Sequence, residues 1–444
     1  MDARVLWKLP PHEFNQWRRK NDYPLIFATF EKKLPHFEEW MRDQKLSKEL
    51  IFEHGIARFV SSDEPLILCT YVNNGVNRLF NKSFKKIHSI KKAGWITKTH
   101  EYQPYFYWLK KNYGENLFAE IKRNFIITSW INGRPQFMKE FFLTNLGGVK
   151  INAPILSGRL LDFTCLDNLI IIGAINNTPI YLWHCSAIGT EISGSVAFLY
   201  FYRTKLWDHG YAGKKRELKL CDGIFQDFHF KDCDLRFHSS RSTLMMWTVE
   251  GCNFDATLEH TDVIKSTFCA GDTNFISKKE FYAKVKILYS SIGRYADAGE
   301  YYFKEKVYEM LTQLEPHKSF REEWVQKNIF QKIFFGANCY FLFFINFLNY
   351  LVWGFGEKPF RCLLASLFVI MLSTVVFLFN SSSVTQGDFL NSLYFSIVTF
   401  VTLGYGDIAQ KTPFLKIFSS IEAISGMVLM GLFLAGYASK SKQY

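Results

Sequence analysis

Apolar and polar positions follow three different rhythms along this 444-residue chain, and each rhythm predicts a different kind of element. The first is the unbroken apolar run. Cys362–Phe379 (CLLASLFVIMLSTVVFLF) holds eighteen residues without a charge, the lower end of what crosses a bilayer as a helix. Residues 414–438 (FLKIFSSIEAISGMVLMGLFLAGYA) form a second run of spanning length. Between them, Asn380–Gly387 is polar and turn-like, and Asp388–Val401 (DFLNSLYFSIVTFV) is apolar but too short to cross. That segment predicts a half-helix that dips into the membrane and returns. Asp388 suits its start, because a carboxylate is stabilised at a helix N-terminus. A further uncharged run, Ile333–Gly356, is long enough to cross but is basic on both flanks: Lys327 and Lys332 before it, Lys358 and Arg361 after it. Basic residues gather on the cytoplasmic side. Both ends are therefore expected there, and the run is read as an interfacial helix along the inner leaflet, with a third crossing or a hairpin as the alternative.

The second rhythm is a beat of five residues between about 146 and 277. Leu220, Phe225, Phe230 and Leu235 keep it strictly, and Leu244, Val249 and Phe254 continue it after a shift. The tripeptides Cys233-Asp234-Leu235 and Cys252-Asn253-Phe254 share the shape small, Asp/Asn, Leu/Phe. This pattern resembles pentapeptide repeats. The resemblance implies a four-sided right-handed β-solenoid in which each face is one repeat and the central Leu or Phe points inward. Stacked units of this kind build a continuous core that none could form alone. The stretch at 160–200 is apolar but poorly phased, Gly210–Glu217 reads as a loop, and an ordinary β-rich domain stays open as the alternative.

The third rhythm is helical. Residues 278–314 resemble a single tetratricopeptide-type hairpin, with Gly293 and Tyr295 at the turn and Ala298 at a close helix contact; Pro316 ends it. One hairpin suits a cap or coupler over 278–328 better than a peptide-binding array. Residues 1–145 read as mostly helical with mixed Trp and Phe spacing and no legible role.

Composition limits the rest. The mean hydropathy of −0.04 says that most of the chain is not membrane. Net charge is +12, and the opening MDARVLWKLPPHEF has no apolar core of a signal peptide. Nine cysteines without a CxxC pair fit a reduced, cytoplasmic compartment and give little support for a metal site. Lys85, Lys86, Lys91, Lys92, Lys98, Lys110 and Lys111 lie among aromatic residues, which suits a solvated basic face, with contact to anionic lipid or nucleic acid as the alternatives. Residues 1–145 carry no Gly-rich phosphate loop, nucleophile elbow or His/carboxylate cluster, so no enzyme is expected.

Chemistry concentrates at Thr402-Leu403-Gly404-Tyr405-Gly406-Asp407, between the half-helix and the last apolar run. Consecutive carbonyls can point at one axis only if the backbone twist alternates, which includes positive φ, and glycine takes that without strain. Here the chain resembles the potassium-channel family, whose selectivity filter reads Thr-x-Gly-Tyr-Gly-Asp. The resemblance implies four copies around an axis, with potassium ions held at Thr402, Leu403, Gly404 and Tyr405 by backbone carbonyls that replace water. Asp407 would place acidic charge at the outer mouth. Tyr394 and Phe395 match the aromatic pair that cuffs the filter, Thr399 supports it, and a tyrosine hydroxyl is expected to reach Tyr405. Gly426, twenty-four residues after Thr402, stands where two-span channels carry a gating glycine, and Gly431 follows it; plain helix packing is the alternative for both. Two departures matter. Leu403 replaces the commoner Val or Ile, and Val398 stands where some bacterial channels have a glutamate that pairs with the filter aspartate. Glu422, an acid inside a spanning helix, is expected either to face a partner or water in a structural or conduction role, or to be protonated at an interface.

Taken in order, the segments resemble bacterial pentapeptide-repeat ion-channel proteins over roughly 146–444, with Gly354, Gly356, Glu357, Lys358 and Pro359 matching the junction. The implied fold is a multidomain membrane protein. It runs from a cytoplasmic α region at 1–145, through a β-solenoid at 146–277, a helical hairpin at 278–328 and an interfacial helix at 329–358, to an all-α two-span pore with a re-entrant helix at 359–444. The implied function is a homotetrameric potassium-selective channel in the bacterial inner membrane. Both termini would be cytoplasmic, and gating would pass through the N-terminal domain, with no cofactor beyond potassium ions. Expected partners are the anionic inner leaflet and an unidentified cytoplasmic ligand. Alternatives are a weakly selective cation channel, or a solenoid interaction module with a membrane anchor. DNA-mimicking solenoids work through acidic surfaces; this chain is basic, and no nucleic-acid partner is expected.

Overall fold

The computed structural model describes residues 1–54, 105–117 and 120, short strands between 71 and 137, and 144–441 apart from 175, 177, 210–214 and 272–273. Two compact units divide the chain, Met1–Ser277 and Lys278–Tyr444. Of the basic run between 84 and 111, Lys91, Lys92 and Lys98 lie outside the described residues.

The first unit opens with five helices, α1 (Ala3–Lys8), α2 (Pro11–Asn21), α3 (Tyr23–Lys33), α4 (Phe37–Asp43) and α5 (Lys48–His54), joined later by α6 (Tyr105–Tyr113). Proline in the first turn of α2 and α3 supplies a preset φ where no N–H is needed. Phe14, Phe27, Phe30, Phe37, Trp40 and Tyr105 are buried together, with Phe37 edge-on to both Phe27 and Tyr105. Between α5 and the solenoid the mostly helical expectation fails in part. Antiparallel pairs join 71–73 to 76–78, 85–88 to 99–102, and 128–131 to 134–137.

These N-terminal helices cap the first turns of a β-solenoid. The Trp7 indole donates to Leu146 O at 3.0 Å, Asn15 donates to Gly158 O at 2.7 Å, and Arg159 donates to Leu9 O at 2.7 Å. Arg18 is fully buried and binds Asp22 at 2.8 Å and Asp162 at 3.3 Å, while the Tyr23 hydroxyl donates to Asp162 at 3.0 Å. A buried charge of this kind is tolerable only when paired.

The solenoid strands run from Thr144 to Cys269. Its three main sheets have six, five and four strands, and nearly every cross-coil pairing is parallel. Bridges linking Cys165, Ser186, Lys205 and Asp234 mark a fourth face. Leu218 pairs with Phe237, Thr243 with Asp262 and Thr248 with Thr267. Each step is one residue less than four faces of five would need, so one face is a residue short. That deficit is the phase shift seen after Leu235. Ser239, the register partner of Leu220 on the next coil, fills the next core position and is fully buried. Leu220, Phe225, Phe230, Leu235, Leu244 and Val249 are all fully buried as the beat requires. The corners are left-handed: Asp222, Arg241 and His260 have φ of 53°, 47° and 47° at successive coils. Arg241 clamps Asp222 at 2.6 Å between stacked corners. The coil lengthens between Glu191 and its partner Lys219, and the short pair 208–209 with 215–216 buds from that turn.

The second unit begins within α7 (Phe275–Ser291), which forms a hairpin with α8 (Tyr295–Thr312), turned at Gly293 with φ 76°. Tyr289 and Tyr301 stack at 5.4 Å across it. Two short helices, α9 (Pro316–Ser319) and α10 (Arg321–Gln326), lead to α11 (Ile329–Val352), which opens with a capping box from Asn328 and Gln331. The hairpin side touches α11 along much of its length. Phe320 meets Phe335 at 5.9 Å, Asn346 donates to Gln313 at 3.2 Å, and Phe303 stacks on Tyr350 at 5.8 Å. The other side of α11 exposes Phe330, Phe334, Phe341 and Leu348.

The last helices are α12 (Phe360–Phe379), α13 (Phe389–Phe400) and α14 (Pro413–Ser441). Phe377 joins all three, edge-on to Phe395 at 4.9 Å and to Phe418 at 5.6 Å. Helices α11, α12 and α14 are each long and apolar enough to cross a membrane, which makes three candidates where two were expected.

Candidate functional site

Helix α13 is aimed by its ends. Asp388 caps the start, accepting from the Asn391 N–H at 3.2 Å, and the Ser392 hydroxyl donates to Thr385 O at 3.1 Å. At the other end the chain closes a tight turn, with Thr402 N–H on Thr399 O and Leu403 N–H on Val398 O, both at 3.0 Å. Carbonyls at a helix C-terminus carry partial negative charge, which favours a cation beyond them.

Past that turn the backbone alternates. Thr402, Gly404 and Gly406 have φ of 57°, 51° and 79°, with Leu403 and Tyr405 outside the left-handed region. The glycines take the twist expected of them, and Thr402 takes it too. Its hydroxyl turns back to Val401 O at 2.8 Å. Leu403 and Tyr405 are 58% and 67% exposed, with their side chains open to the surroundings. The Tyr394 hydroxyl interacts with the Asp407 carboxylate, and Tyr405 also lies near it. Phe395 packs on Phe377, behind the segment, and Thr399 contributes its carbonyl to the turn.

Three polar residues that sequence reasoning did not single out hold this region. Gln410 is buried; its amide donates to Ser383 Oγ at 3.1 Å and its carbonyl accepts from Val384 N–H at 3.2 Å. The segment after Asp407 is thereby tied to the loop before α13. Ser396 on α13 lies between Ile370 O of α12, at 3.0 Å, and Glu422 of α14, at 2.5 Å. Ser396 and Glu422 stand 26 residues apart, so only folding reveals the pair. Ser396, one of the few polar residues of a mostly apolar half-helix, was the available signal.

The glycines of α14 differ. A methyl on Gly426 would lie 1.9 Å from the Phe400 carbonyl oxygen, so α14 touches the end of α13 where only glycine fits. Gly431 meets nothing within 4 Å in the single chain. Gly436 lies against Pro359, 3.0 Å from where a methyl would sit.

That last contact belongs to a second cluster, at the junction before α12. Gly354, Phe355 and Gly356 are all left-handed, with φ of 59°, 57° and 88°. The sharp bend brings Glu357 to Lys440 at the far end of α14, 2.6 Å away. A methyl on Gly299 of α8 would sit 2.4 Å from the same carboxylate. Lys358 lies over the Phe303 ring at 4.5 Å, and Arg361 donates to Tyr350 O at 2.6 Å. One point therefore gathers α8, the end of α11, the junction and the end of α14.

Residues 364–441 match the ion channel family. A stretch of 70 residues is 36% identical to Two-pore potassium channel 5 of Arabidopsis thaliana, covering 15% of this chain and 17% of that protein. No solved structure matches. Among the described residues no group of three or more His, Cys, Asp or Glu side chains could hold a metal ion.

Proposed function

We propose that this chain is the subunit of a cation channel whose conduction path is built from residues 360–441 of several copies. The observation that carries the reading is the left-handed backbone at Thr402, Gly404 and Gly406. It directly follows a capped half-helix and lies inside the segment that matches the ion channel family. Alternating twist turns backbone carbonyls toward one line, and a line of carbonyls can stand in for a cation's water. Passage of cations is the broader reading and rests on the family match. Potassium selectivity is the finer one. The TLGYGD sequence and the similarity to a plant protein named as a potassium channel support it, and a weakly selective cation channel is the competing reading. Assembly as a tetramer gives the exposed Leu403 and Tyr405 side chains something to pack on.

Helix α11 fits the plane of the inner leaflet better than a crossing. Its contacts with the hairpin side run from Phe335 to Tyr350, fifteen residues apart, or about 22 Å at the α-helical rise. A crossing α11 would carry that side, with Lys304, Glu305, Lys306 and Glu309, into hydrocarbon at about 3 kcal/mol for each charge. Laid flat, it buries Phe330, Phe334 and Phe341 in lipid and sets Lys327, Lys332, Lys358 and Arg361 among anionic headgroups. The protein is then a two-span channel of the cytoplasmic membrane with both ends inside. The solenoid unit biases the pore through the hairpin and the junction at Glu357.

The deciding experiment measures reversal potentials of the purified full chain in planar bilayers under opposing potassium and sodium gradients. Potassium selectivity predicts a potential near the potassium equilibrium value. Equal permeability to both ions would retain the cation channel and remove the potassium filter. Absence of any current under all conditions would remove the channel.

A further inference from the structure

Ser396 carries a hydrogen-bonding arrangement that its own single hydrogen cannot satisfy. Its Oγ is 3.0 Å from Ile370 O and 2.5 Å from Glu422 Oε1. A hydroxyl has one hydrogen to donate, a backbone carbonyl has none, and an ionised carboxylate has none. If Glu422 were ionised, one hydrogen would serve two acceptors. The Glu422 carboxyl can supply the second hydrogen. Its surroundings agree. Glu422 is 2% exposed, and among the described residues the groups facing its carboxyl are two hydroxyls, those of Ser396 and Ser373. A carboxylate buried with hydroxyls alone and no cation is far more costly than a neutral acid.

We propose that Glu422 stands in this protein as the neutral acid. It donates to Ser396 Oγ, which passes its own hydrogen to Ile370 O, so that one relay ties α14 to α13 to α12 immediately behind the Thr402–Gly406 segment. The groups facing Glu422 are Ser396 from α13 and Ser373 from α12, neither of them charged, and among the described residues no basic side chain pairs with it. Gly426 lies one turn beyond Glu422 and touches Phe400, one turn beyond Ser396. The two contacts together fix both the height and the rotation of α13 against α14. Glu422 is thus a positioning residue for the segment that α13 carries.

The test compares E422Q, E422A and E422L in the full chain. Glutamine keeps the shape, is neutral and still donates to Ser396. Infrared difference spectra of wild type against E422Q are expected to show a protonated-carboxyl band that the variant lacks. This measurement does not depend on the channel reading. E422Q is expected to retain wild-type current and ion preference, while E422A and E422L lose about tenfold of the current, the equilibrium value of a buried hydrogen bond. A wild-type spectrum showing an ionised carboxylate at this position overturns the proposal. So does E422Q damage as severe as that of E422A. Should E422A fail to fold, the infrared band and the behaviour of E422Q still decide.

Discussion

At Gly404 the backbone, not the space around it, excludes other residues. A methyl there would touch nothing within 4 Å, yet φ is 51°. Left-handed backbone costs an alanine about 1–2 kcal/mol, and each copy in an assembly would bear that cost. On the proposed potassium-filter reading, Gly404→Ala is therefore expected to abolish the preference for potassium over sodium in bi-ionic reversal potentials while the protein still folds. Gly426 is the opposite case. There a methyl would press into the Phe400 carbonyl, and overpacking of this kind costs about 1–3 kcal/mol. Gly426→Ala should lose current and thermal stability together, whereas Gly431→Ala, with open space around it, should keep both. The chemistry of 402–407 was legible because six consecutive residues carry it. The Ser396–Glu422 and Ser383–Gln410 pairs were not, because each joins side chains 26 or 27 residues apart.

Among the elements, the solenoid was readable where its coil is regular and obscure where it is not. Between Leu218 and Cys269 a coil of constant length returns each apolar residue to the core, and the beat of five survives with one slip. Earlier coils differ in length from these and from each other. The step from Lys150 to Ile170 is one residue longer and that from Ile170 to Glu191 two longer, so no fixed spacing marks them. Those coils also place Tyr181, Trp183 and Tyr202 outward in a stacked ladder, which blurs the apolar pattern further. His184 sits at a left-handed corner here, stacked on Phe163 at 5.1 Å. Burial, and then the nearby Arg203 charge, hold its pKa well below the ordinary value of 6.5. The folded form therefore keeps His184 neutral while the unfolded chain takes up a proton as the pH falls below about 6.5. Stability contributed by this site is complete above that value and declines below it, by up to about 1.4 kcal/mol per pH unit. Thermal melts of the full chain between pH 7 and 5 should show the decline. His184→Asn, which tolerates the left-handed corner and does not titrate, should lower the melt overall but flatten its slope with pH.

For the whole molecule, the connections that matter join distant parts of the sequence. The N-terminal helices cap the solenoid through pairs such as Trp7 with Leu146, 139 residues apart, so a region without a legible role acquires one only in the fold. The junction was recognisable as a motif, but its partners were not. Glu357 reaches Lys440 across the length of two membrane-spanning helices in sequence, and Gly299 of the hairpin closes on the same carboxylate. If this point couples the hairpin to the end of α14, then Glu357→Lys and Lys440→Glu should each shift open probability by about fivefold, the scale of a partly exposed ion pair. The double exchange should restore it. Single-channel recordings of the three variants check this, and equal open probability in all of them would remove the coupling. A last consequence lies in the constant coil of the later solenoid. Cutting out Asp234–Cys252 removes one full circuit and leaves Cys233 followed by Asn253, the residue that already stacks on Asp234. Every remaining side chain keeps its face, and the column shortens by one strand spacing, about 4.8 Å. A cut one residue shorter would turn every later side chain out of register. The solenoid is in this sense a ruler with fixed graduations, and its length is adjustable only in whole marks.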